Sequence, residues 1–141
     1  MMKTTSKIRG QCGAVIIEFA LSLLVLIPLL LGIMEFGLIL YNKAMITNAS
    51  REGARAGIVY DTSRPTEAAI TTVVNNYCQD HLITFGSATP VTDAVPDACP
   101  DSGANITVTV DYQYDWLVLP NFLAGLIGQV NLSATTVMRC E

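Results

Sequence analysis

The order of polar and apolar positions changes character several times along this chain. Residues 1–13 are polar and basic. The sequence then turns apolar, and from Phe19 to Tyr41 the only charge is Glu35. As a helix at ~1.5 Å per residue, these 23 residues extend ~35 Å, enough for a ~30 Å hydrocarbon core. Fifteen of them are Leu, Ile, Val or Phe, contributing about −4 to −9 kcal/mol towards insertion at roughly −0.3 to −0.6 kcal/mol each. Glu35 lies near the far end, where it is expected to reach the headgroups at low cost. Pro28 sits mid-run and predicts a kink, tolerable where neighbours compensate.

The helical pattern continues past Tyr41 through "NKAMITNASREGARAGIVY". A single helix from about Ala14 to Val59 is ~70 Å long, half of it projecting beyond the membrane. Ala49, Gly53 and Gly57 share one face of that half. The Gly53-x-x-x-Gly57 pair admits a close backbone, either this chain's own sheet or another subunit. "DTSRPTEAAITTVVNNYC" then predicts a turn and a second helix. Pro65 is expected at its first position, with Ser63 or Arg64 just outside, and Ala69, Ile70, Val73, Val74 and Tyr77 form its buried stripe. "GSATPVTDAVPDACPDSGAN" is rich in Pro, Asp, Gly and Ser and predicts a loop.

After it the period becomes two. Ile106, Val108, Val110, Tyr112 and Tyr114 alternate with polar residues, as do Val130, Leu132, Ala134, Thr136 and Met138. These are half-buried strands, paired antiparallel and too few to stand without a helix beneath them. Between them, Leu119, Phe122, Leu123, Leu126 and Ile127 have helical spacing. That insert suits a core cap, a membrane-surface segment or a partner contact. The class is α+β: a long transmembrane helix leading into a small domain with a second helix and an antiparallel hairpin or sheet. The boundaries are 1–13 for the leader, 14–60 for the long helix (transmembrane about 19–41) and 61–141 for the domain.

Charge sets the orientation. The formal charge is −4, yet Lys3, Lys7 and Arg9 all precede Gly13 without an acid between them. The remainder holds 5 basic and 12 acidic residues. A basic end just before an apolar run places the N-terminus in the cytoplasm. The acidic body offers no basic patch for nucleic acid. A secretory signal fits poorly, because the apolar run is too long and its only A-x-A match, Ala54–Arg55–Ala56, lies well beyond it.

Four cysteines occur, at 12, 78, 99 and 140. On an oxidising far side, Cys78 and Cys99 are the natural pair, closing the Pro-rich loop and contributing about 3 kcal/mol. Cys140 is then unpaired or joined to another chain. Cys78–Cys140 and Cys99–Cys140 stay open as alternatives. No catalytic set assembles. His81 is the only histidine, and Asp93, Asp97 and Asp101 lack an EF-hand spacing. The N-x-S/T matches at Asn48, Asn105 and Asn131 are of a kind that arises by chance. No cofactor, metal or small-molecule substrate is expected.

Gly13 closes the basic leader, and Glu18 is the fifth residue after it, followed by Phe19. "G/AVIIEF" between a short leader and a membrane helix resembles a type IV prepilin cleavage site. From Gly13 to Ile58 the chain is similar to the TadE-like family, pseudopilins or minor pilins of Tad (Flp) pilus systems. Glu18–Phe19, Pro28, Glu35–Phe36–Gly37 and Arg51–Glu52–Gly53–Ala54–Arg55 carry the likeness, and "LSATTVMRCE" resembles the family's strand-like end. The stretch from Ile83 to Asn105 carries none. The resemblance implies an inner-membrane precursor with a periplasmic domain, cut between Gly13 and Ala14 by a prepilin peptidase. It implies assembly with other pilins and the pilus machinery, a role in surface adherence, and no catalysis. In a helix bundle, the new α-amino group of Ala14 would be buried, and Glu18 of a neighbour would offset its charge. Glu18 also favours the start of the helix dipole. The competing reading is an uncleaved, single-pass anchored binding domain in the periplasm.

Overall fold

The computed structural model describes residues 11–59, 63–84, 93–96, 99 and 101–140. The leader residues Lys3, Lys7 and Arg9, and Asp97 of the Pro-rich loop, lie outside the described residues.

Helix α1 runs from Gln11 to Ile58, 48 residues including Pro28. It starts slightly before the expected Ala14 and ends one residue before Val59. Arg55 in its last turn complements the carbonyl end of the dipole. The helix has two unlike halves. Between Gly13 and Met34 no residue is buried, and its most apolar stretch has a mean hydropathy of 2.7. This half is long and apolar enough to cross a membrane. From Glu35 onward, Asn42, Ile46, Ala49, Ser50, Gly53, Ala54 and Gly57 form one buried stripe. Their three- and four-residue spacing keeps them on one face, turned towards the rest of the domain.

Helix α2, Glu67–His81, begins differently from expectation. Thr66 is its cap, receiving the Ala69 amide on its hydroxyl at 3.3 Å, and Pro65 stands outside. A hydroxyl that satisfies a free helix amide outweighs the preference of proline for the first turn. Its buried stripe is Ile70, Val74 and Cys78; Ala69 is exposed, and Val73 and Tyr77 are only partly covered.

Strand β1 covers Asp93–Pro96, β2 covers Asn105–Tyr114 and β3 covers Val130–Arg139, in the order β1-β2-β3, all antiparallel. In β2 every second residue from Ile106 to Tyr114 is buried, as its period predicts. Its register sets Val108 opposite Thr136, Val110 opposite Ala134 and Tyr112 opposite Leu132. The inner sheet face packs on α1 and α2 around Ile46, Ile70, Val74, Ile106, Val108 and Val110. Strand β1 is a correction, because it lies in the segment read as loop. It is an edge strand of 4 residues ending at Pro96, and an edge tolerates proline's missing donor. Helix α3, Asn121–Ile127, fills the connection between β2 and β3 and stops at Gly128, whose φ of 81° favours glycine.

Candidate functional site

Gly13, Ala14 and Glu18 all sit exposed on the uncovered half of α1. Helix geometry places Ala14 and Glu18 one turn apart on the same face. Among the described residues, the hydrogen bond that a side chain makes to this stretch is local, from the Ser22 hydroxyl to the Glu18 carbonyl at 2.9 Å. The carboxylate of Glu18 faces outward, open to a neighbour.

The second acid behaves otherwise. Glu35 is 1% exposed, turned into the domain instead of outward as its position in the apolar run suggests. Its Oε1 accepts from the Tyr114 hydroxyl at 2.6 Å and the Leu117 amide at 2.9 Å. Its Oε2 accepts from the Val118 amide at 2.8 Å and the Leu119 amide at 3.0 Å. Three successive backbone N–H groups in the connection after β2 thus wrap one carboxylate from α1. Burying an acid is costly unless it is hydrogen-bonded, and these four donors meet that condition. Burial first, then the hydrogen bond and charge of Glu35, push the Tyr114 phenol well above its ordinary value, so it remains a donor.

Below this clamp lies a groove of about 360 Å³. Pro28, Gly32, Phe36 and Ile39 of α1 form one wall, and Trp116, Leu119 and Ile127 the other. Trp116 donates its indole N–H to the Gly128 carbonyl at 2.6 Å. The apolar insert does not cap the core: Phe122 is 72% and Leu126 81% exposed.

Further up, polar side chains on α1 tie it to β3 and to the backbone just after α2. Asn42 exchanges two hydrogen bonds with the Ile83 backbone, both at 3.1 Å. Lys43 donates to the Ser133 carbonyl, and the Ser50 hydroxyl pairs with Thr136 at 2.7 Å. The Gly53–Gly57 groove is filled from within. A Cβ at Gly53 would strike Val74, and one at Gly57 would strike Ile106 and stand 2.9 Å from Ile70.

The expected Cys78–Cys99 disulfide is not present. Cys99 is bonded to Cys140, with Cα atoms 6.0 Å apart, and Cys78 is a free thiol buried in the core. The reason is the face of α2. Cys78 follows Ile70 and Val74 at four-residue steps and so points into the core with them. Burial raises its thiol to about 11 from an ordinary 9.0. Cys140 meets Cys99 because its backbone is held by Gly103 and Ala104, with hydrogen bonds of 2.9 and 2.7 Å. Arg64 also donates to the Cys99 carbonyl at 3.2 Å. His81 is exposed, stacked on Tyr77 at 4.2 Å, with Nδ1 on the Tyr77 carbonyl. Among the described residues no cluster of His, Cys, Asp or Glu is arranged to hold a metal.

Comparison with known proteins agrees with the region carrying the resemblance. Residues 13–55 match the family of TadE-like proteins. The match covers the uncovered half of α1 and most of its packed half, and none of α2 or the sheet. No curated protein and no solved structure matches the chain.

Proposed function

With residues 13–55 as a TadE-like segment, we propose that this chain is a pseudopilin or minor pilin, a structural component of a Tad (Flp) pilus. The single observation that carries this reading is the placement of "G/AVIIEF". It stands at the head of a helix whose first half is bare and apolar, within the segment matched to TadE-like proteins. Prepilin peptidase cuts after Gly13, removing the three basic residues before it. The cut frees the amine of Ala14 and leaves the helix anchored in the inner membrane, with the domain in the periplasm. Its bare half then packs against other pilins, where a neighbour's amine and the open carboxylate of Glu18 neutralise each other. Cutting, membrane insertion and fibre assembly need no catalytic group on this chain. The role in surface adherence follows from the pilus.

Mass spectrometry of the membrane-extracted protein is the test. A mature N-terminus at Ala14, lost in Gly13→Ala, supports the proposal. A chain retaining Met1 in cells with an active prepilin peptidase overturns it and favours an uncleaved anchored domain. Glu18→Ala is expected to insert and be cut normally while failing to co-purify with partner pilins.

A further inference from the structure

The hydropathy run ends at Tyr41, but the domain does not begin there. It begins to cover α1 at Glu35, and the β2–α3 connection reaches along the helix as far as Pro28. Pro28 lies about 10 Å before Glu35 along the axis. Leu119 and Ile127 therefore share a groove with residues in the middle of the apolar run. If Pro28 is in hydrocarbon, residues that line the same groove stand at its depth and not in bulk water. The insert is built for that position. No charged residue occurs between Asp115 and Arg139. Phe122, Leu126 and Ile127 are exposed on α3, and Ile33, Phe36 and Leu40 are exposed on the neighbouring α1. Trp116 and Tyr41 supply aromatic rings of the kind found at membrane boundaries.

We propose that α3 is a membrane-interfacial helix, resting Phe122, Leu126 and Ile127 in the periplasmic leaflet beside α1. The far boundary of the hydrocarbon then falls near Glu35 instead of Tyr41. Counted from Ala14, which takes Glu18 into its near end, the span runs to Met34, about 31 Å at ~1.5 Å per residue, which matches a ~30 Å core without tilt. The reach of about 10 Å below Glu35 is also the depth to which interfacial helices bury an apolar face, ~5–10 Å. The four donors on Glu35 then have a second use. They let an acid sit at the hydrocarbon edge with no unsatisfied lone pair facing lipid. This inference rests on the anchored reading above.

The chain carries one tryptophan, Trp116, in the wall of the groove, so no probe need be added. The full chain is reconstituted into phosphatidylcholine vesicles bearing bromine on their acyl chains, and flotation confirms association. The expected result is loss of most Trp116 emission to the brominated lipid and little to aqueous iodide. Phe122→Ser/Leu126→Ser is expected to float as well while reversing that preference. If iodide quenches and brominated lipid does not in chains that float, α3 is in water and the inference fails while the anchor stands. If lipid quenching emerges only when the chain is diluted into excess lipid, a second copy covers the face and the inference also fails. Undiminished lipid quenching in the double variant overturns the assignment to Phe122 and Leu126. A chain that does not float ends both readings together.

Discussion

The two acids of the apolar region have opposite fates, and the difference lies in what surrounds each. An acid in such a run must be satisfied somehow, but the outlet that the sequence position of Glu35 suggests, the headgroups, is not the one the fold uses. Its partners were not legible, because three are backbone amides far along the chain and carry no residue-type signature. Tyr114→Phe removes one charge-assisted bond and is expected to cost about 1.5–3 kcal/mol. Glu35→Gln should cost at least as much, since its amide nitrogen turns a donor towards other donors. Thermal melts of the full chain in detergent micelles measure both. Cys78 departs from expectation for a related reason: its nearness in sequence to a loop suggests pairing, while its helix face turns it into the core. Its folded thiol keeps its proton up to about 11, whereas the unfolded thiol ionises near 9.0. Its contribution to stability is therefore fully present below pH 9 and lost as pH rises towards 11. At neutral pH a maleimide should label it only after denaturant is added; rapid labelling at Cys78 of the native chain, separated from Cys12 by peptide mapping, would contradict its burial.

Elements with a strong period were legible in their interiors and less so at their ends. The inward faces of β2 and β3 follow directly from the two-residue repeat, whereas α2 starts beyond Pro65 and the packed part of α1 starts at Glu35, inside the apolar run. Strand β1 was not legible, since Asp93–Pro96 is too short to display a period and is recruited by the free edge of β2. The glycine pair on α1 was legible as a groove but not as to its filler. The structure fills it with Ile70, Val74, Ile106 and Val108 from this same chain. Gly57→Ala must displace both Ile106 and Ile70, so overpacking of about 1–3 kcal/mol is expected. Chemical denaturation will read that loss; an unchanged midpoint would mean the helix–sheet contact is looser than the geometry indicates.

At the scale of the whole molecule, the Cys99–Cys140 bridge ties the end of β3 to the segment before β2, across 41 residues. A loop of that length gives about 4 kcal/mol in the chain-entropy model. Cys140→Ser is expected to lose most of that in urea melts, and peptide mapping of the oxidised protein should recover Cys99 joined to Cys140. The other long-range tie is α1 itself, unbroken from Gln11 to Ile58. An unbroken helix turns about 100° per residue, so every side chain on it has a bearing fixed relative to the domain. Glu18 lies 17 residues before Glu35, which leaves it about 100° around the axis from the side the domain occupies. The domain thus acts as a vane that sets the heading of a carboxylate some 25 Å away. If a partner engages Glu18 as proposed, it lies to one flank of the domain, always the same flank. Successive copies joined in this way would inherit a single hand.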